Sequence, residues 1–150
     1  MLLTPVEKDY DAVIIDCPPA ISLLQSCALM YSQQILIHLT MDPLSLQGAY
    51  AAIQTSATLN RLFRANILPV AVLPVQVDRC LQMTDVILDS LQSLSKEYSI
   101  PLLPAVRTDS TVPKATRARK FLSDFDPKCA RLSKTTGWWP NTCCSTLKDN

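Results

Sequence analysis

YDAVIIDCPPAISLLQSCAL, residues 10–29, is the stretch that decides the fold. Its first part, DAVIID (residues 11–16), is a short apolar run with β-branched residues that closes on the carboxylate of Asp16. A run that is apolar on both faces suits a strand buried in a parallel sheet. Cys17-Pro18-Pro19 stops it, because proline has no N–H to give to a ladder. Residues 20–31 then read as a helix, with Ile21, Leu24, Ala28 and Leu29 along one side.

The same alternation continues downstream. ILIHLT (residues 35–40) reads as a second buried strand, and residues 45–64 as a long helix with Leu46, Tyr50, Ile53, Ala57 and Leu62 along one face. Residues 67–77 are a third strand whose regular part Pro69 and Pro74 confine to the middle. Residues 82–98 form an amphipathic helix with Met83, Val86, Ile87, Leu91 and Leu94 inward. A fourth strand around residues 100–106 is shortened by Pro101 and Pro104, and residues 114–121 read as a short helix. Strands alternating with helices predict an α/β fold, a doubly wound parallel sheet covered on both faces. There is no internal repeat and no low-complexity tract.

Composition sets the outer limits. The chain has 150 residues, 48% hydrophobic and 18% charged, which is a globular rather than a disordered balance. Its net charge of +1 gives no overall pull toward nucleic acid or membrane, so any such contact must come from a local patch. No segment reaches 18 consecutive apolar residues, and MLLTPVEKDYD is too short and too acidic for a signal peptide. The six cysteines (Cys17, Cys27, Cys80, Cys129, Cys143 and Cys144) are therefore expected to be reduced thiols of a cytoplasmic protein, with no zinc-type spacing among them.

The opening stretch resembles the switch-II strand and turn of the ParA/MinD family of partition ATPases, whose usual form is Tyr-Asp-x-x-apolar-apolar-Asp-x-Pro-Pro followed by a helix. ILIHLTMDPLSLQGAYAAI is similar to that family's next strand and helix, including Leu46 and Gly48. LPVQVDRCLQMTDVILDSL resembles the strand, loop and helix that follow, with Asp78 and Arg79 in the loop. VRTDSTVPKATRARKFLSDFDPK resembles the segment that leads to Asp126-Pro127-Lys128. The matches run in order over residues 8–130. Met41-Asp42 departs from the Pro-Glu of many members, and residues 75–78 replace a Thr-Met-Tyr-Asp-like run.

The resemblance implies a P-loop NTPase-like fold and a use for ATP and Mg²⁺. In such enzymes a carboxylate at the end of a buried strand holds Mg²⁺, usually through water, and Asp16 is the matching position. Pro18 and Pro19 would form the stiff turn that nucleotide repositions. Contacts to the base carry over to Gln76 and Asp78 and to Val106, Arg107, Thr108 and Asp109. The resemblance also implies a homodimer, a ParB-like activator protein and non-specific DNA as partners, and no membrane. Arg107, Lys114, Arg117, Arg119 and Lys120 form a local basic cluster for DNA phosphates, opposed by Asp109. Read from the residues alone, that cluster is equally a solvated helix face, and a helix cap is the leading reading of Asp16 until the downstream matches are added.

One part of the chemistry is missing from the sequence. Holding ATP phosphates needs a glycine-rich loop with a lysine, resembling Lys-Gly-Gly-x-Gly-Lys-Thr in this family. The chain has two glycines, Gly48 and Gly137, and neither adjoins a Lys-Thr or Lys-Ser pair. The expectation is therefore a partial sheet lacking the strand and helix that flank that loop, of low stability because apolar strand edges are left unpaired. ATP hydrolysis stays open: the chain is the C-terminal part of an ATPase, or a catalytically inactive pseudo-ATPase that only associates with a partner.

One domain's worth of chain is expected: residues 1–130 as the C-terminal part of a ParA-like ATPase domain, followed by an atypical tail, residues 131–150. The tail, RLSKTTGWWPNTCCSTLKDN, has no helical periodicity. Read one base out of frame, Trp138-Trp139-Pro140 must encode Val-Ala and Cys143-Cys144 a Leu at their junction, which permits an amphipathic helix. A frameshift near residue 131 is the hypothesis, and a lineage-specific tail the alternative. His38, within an apolar strand, reads as a structural residue, and Cys17 as an ordinary thiol rather than a nucleophile or cluster ligand.

Overall fold

A computed structural model describes residues 9–17, 22–78 and 80–127. They divide into two compact units, residues 1–105 and 106–150, each taken on its own below.

The first unit is α/β. Helix α1 (Leu23–Ser32) leads into strand β1 (Gln34–Leu39), helix α2 (Pro43–Phe63), strand β2 (Leu68–Pro74) and helix α3 (Gln82–Tyr98). β1 and β2 pair in parallel, with Ile37 opposite Val72 and Leu39 opposite Pro74. The register shifts between Ile35 and Leu36, where β2 carries one residue more than its partner. This is a small open sheet, compatible with part of a P-loop-type fold. Parallel strands cannot be joined by a tight turn, and the 21-residue α2 supplies the crossover.

The core lies between one sheet face and the helices α2 and α3. Ile37, Leu39 and Val72 meet Ala49 and Ile53 of α2 and Ile87, Leu91 and Leu94 of α3, with Ile100 closing the cluster. The buried positions of α2, Ala49, Ile53, Ser56 and Leu59, follow helical spacing. This stripe is rotated from the expected one: Ala57 is exposed and Leu62 is 64% exposed. α3 likewise buries Thr84 with Ile87, Leu91 and Leu94, while Met83 and Val86 lie outside. Thr84 is tolerated there because its hydroxyl donates to the carbonyl of Asp78 at 2.6 Å.

A side-chain clamp fixes the return from α2 to β2. Asn60 donates from Nδ2 to the carbonyl of Ile67 and accepts the Ile67 N–H at Oδ1, both at 2.8 Å. Ile67 itself is 1% exposed, so its backbone groups have lost water and depend on that amide.

Two expected strands are corrected. Residues 12–17 have no regular structure, and Val13 and Ile14 are 46% and 76% exposed. A strand exists only through its neighbours, and among the described residues none pairs with this run. The expected strand at 100–106 shrinks to one bridge between Val72 and Leu102, held by Val72 N–H to the carbonyl of Pro101 and Leu103 N–H to that of Val72. Pro101 and Pro104 carry no N–H, so the ladder cannot extend either way. α1 also buries none of its residues, and Leu24, expected inward, is 81% exposed. Ile21, Pro18 and Pro19 lie outside the described residues.

α1, α2 and α3 each end on a left-handed residue that is not glycine: Gln33 (φ 56°), Arg64 (φ 51°) and Ser99 (φ 55°). In the second unit, α4 (Thr111–Arg117) and α5 (Leu122–Phe125) follow one another. α4 starts and ends earlier than expected; the Asp109 carboxylate accepts the Thr111 N–H at 2.8 Å and opens the turn there. The tail lies outside the described residues.

Candidate functional site

Because β1 and β2 are parallel, their C-terminal ends form one rim, where open α/β sheets bind ligands. The pairing runs one residue past the strands, with Val75 N–H donating to the Leu39 carbonyl at 2.8 Å. Two loops leave this rim, residues 40–42 after β1 and residues 75–81 after β2.

The first loop is built around Asp42. Its Oδ1 accepts the Ser45 N–H at 2.8 Å, capping α2, and its Oδ2 accepts the hydroxyls of Ser45 at 2.7 Å and Thr40 at 2.5 Å. Pro43 occupies the first helical turn, where a missing N–H costs nothing. The Ser45 hydroxyl, the Thr40 hydroxyl and the Ser45 N–H, in that order, favour the ionised form and lower the Asp42 carboxyl from 3.8 to about 2. Asp42 was not among the expected site residues. The signal was present in Asp-Pro-x-Ser, a capping residue directly before an N1 proline.

The second loop holds Gln76 and Asp78. Gln76 is exposed and left-handed (φ 53°), so the chain reverses there without a glycine. Asp78 is exposed, and its Oδ1 accepts the Cys80 N–H at 3.0 Å while its carbonyl takes the Thr84 hydroxyl. The loop is thereby tied to the first turn of α3. Arg79 lies outside the described residues.

Asp16 is exposed, outside regular structure and next to half-buried Cys17. Cys17, Cys27 and Cys80 are free thiols. Of the other expected base contacts, Val106 and Asp109 are half-buried, and Arg107 and Thr108 are exposed. These four belong to the second unit, whereas Asp16, Gln76 and Asp78 belong to the first. The basic residues Arg107, Lys114, Arg117, Arg119 and Lys120 are all exposed within the second unit. Lys114 and Arg117 stand one turn apart on α4, and Arg119 turns left-handed directly after it.

Mg²⁺ is commonly held by one or two protein carboxylates, with phosphate and water completing the shell. Asp16 fits as one such ligand. Among the described residues no group of three or more His, Cys, Asp or Glu gathers to hold a metal. No helix among the described residues is long and apolar enough to cross a membrane.

Residues 1–68 match the family model of an AAA domain. Over that stretch, which contains the run ending at Asp16, α1, β1 and α2, the chain is similar to an AAA-type ATPase domain. Such a match is consistent with nucleotide and Mg²⁺ use in general. No curated protein matches the chain.

Proposed function

We propose that the chain is part of a ParA-like partition ATPase, an ATP-dependent switch that forms a homodimer, binds DNA non-specifically and is discharged by a ParB-like activator. The observation that carries this reading is a coincidence of position: the AAA-domain match spans residues 1–68, and the Asp-x-Pro-Pro motif at Asp16 falls inside it. In this reading Asp16 is the Mg²⁺ carboxylate, and Pro18 and Pro19 make the turn beside the phosphate. Gln76 and Asp78 of the first unit face the base. The exposed cations of the second unit meet DNA phosphates, which needs no sequence recognition.

DNA titration at several salt concentrations tests the proposal. Arg117→Ala and Lys120→Ala should each weaken binding uniformly across sequences and lower the salt slope by about one. Unchanged affinity and slope in both variants would remove the DNA patch from the argument. A second reading of the chain is an interaction-only pseudo-ATPase. Tight MgATP binding by the purified chain would rule it out.

A further inference from the structure

The link from α4 to α5 sets an aromatic ring in a run of cations. Residues 110–123 contain Lys114, Arg117, Arg119 and Lys120 and no Asp or Glu. Phe121 follows Lys120 directly and is 80% exposed. The backbone on both sides of it is tied down. Arg119 N–H donates to the Thr116 carbonyl at 3.0 Å and Lys120 N–H to the Ala115 carbonyl at 3.1 Å, which closes the end of α4. The Phe121 carbonyl then accepts the N–H groups of Asp124 at 3.1 Å and Phe125 at 2.9 Å, which opens α5. Ala115, only 3% exposed, anchors α4 beneath this link. Ring and cations therefore stand on hydrogen-bonded backbone, and all of them belong to the second unit.

We infer that this link is a stacking platform for unpaired DNA bases, with Phe121 receiving the face of a base and the surrounding cations its flanking phosphates. The inference rests on the DNA reading above and narrows the ligand to single strands. A lone exposed apolar side chain needs no explanation. A ring inside an acid-free, cationic run is a different case, because one ligand satisfies both parts. Single-stranded DNA carries a phosphate at every step and leaves the face of each base free to stack on an aromatic side chain. In a duplex those faces are already stacked, so only the cations would be used. Stacking also tolerates any base, in keeping with phosphate contacts that read no sequence.

The test is fluorescence anisotropy on the full chain with three labelled probes of about 20 nucleotides: a thymidine strand, an abasic strand with the same phosphates, and a duplex. The thymidine strand should bind about tenfold more tightly than the abasic one. Phe121→Ala and Phe121→Leu should both remove that preference, the second because it keeps apolar bulk without an aromatic face, and Phe121→Trp should retain it. Neither loss should be a folding defect, since the side chain is 80% exposed, and an unchanged circular dichroism spectrum checks this. Duplex binding should not respond to Phe121→Ala. Arg117→Ala should weaken thymidine and abasic strands alike and lower the salt slope by about 0.7. Equal affinity for the thymidine and abasic strands, a preference that survives Phe121→Ala, or a duplex that loses affinity in that variant overturns the inference. If Arg117→Ala still weakens binding in that event, the DNA reading stands without it; no binding to any probe removes both.

Discussion

Replacing Asn60 by alanine removes both hydrogen bonds of the clamp that hands α2 over to β2. Each is 2.8 Å long, and each serves a backbone group of Ile67, a residue only 1% exposed. The N–H and the carbonyl would then be buried without partners, at about 1–2 kcal/mol each once partial water entry is allowed for, giving about 2–4 kcal/mol in all. Urea unfolding followed at 222 nm reads this directly. With a slope of about 1.5 kcal/mol/M the midpoint should fall by about 2 M. Asn60→Asp makes the mechanism specific. It keeps an acceptor for the Ile67 N–H but turns a second carboxylate oxygen toward the Ile67 carbonyl, so only its protonated form can donate there. The folded-state pKa of that aspartate is therefore raised. Its stability is complete below the unfolded pKa and is lost as pH rises through the folded one. The deficit of Asn60→Asp should shrink on acidification, while that of Asn60→Ala stays level. A midpoint within about 0.3 M of the parent for Asn60→Ala would show that Ile67 finds other partners and would refute the reasoning.

Leu91 is fully buried between β2 and α2, so Leu91→Ala should cost about 3 kcal/mol of unfolding free energy in the same urea assay. Asp42, lowered to about 2 by Ser45 and Thr40, stabilises the fold above an ordinary carboxyl pKa of 3.8. That contribution should disappear as pH falls from 3.8 through about 2, and the urea midpoint of Asp42→Asn should lack this part of the acid dependence. Ser99→Gly relieves a left-handed cap at φ 55° and should raise stability by about 1 kcal/mol, seen as a higher melting temperature.

The elements legible in the sequence were those that carry their own periodicity. α3 spans the expected residues 82–98, and α2 (Pro43–Phe63) and β1 (Gln34–Leu39) lie within two residues of expectation. Which stripe of a helix faces inward was less legible. Leu62 and Val86 are apolar but exposed, and Thr84 is polar but buried because a carbonyl of the preceding loop receives its hydroxyl. Residues 11–16 and 100–106 have strand composition without strand structure, since a ladder depends on a neighbour that composition does not report. For the site, Gln76 and Asp78, which only the family resemblance singles out, lie in the loop that follows β2. The cap at Asp42 was written plainly in Asp-Pro-x-Ser, but it was read only as a departure from a motif.

The non-glycine caps at Gln33, Arg64 and Ser99 share a location: each lies just before β1, β2 or the 101–103 segment, at the foot of the sheet. Asp42, Gln76 and Asp78 lie at its opposite end. The foot of the first unit thus holds three left-handed non-glycine residues at about 1 kcal/mol each, and the rim holds one more, Gln76. Mutations that relax the foot can accumulate without touching the rim, so this half of the fold can gain rigidity without the usual trade against activity.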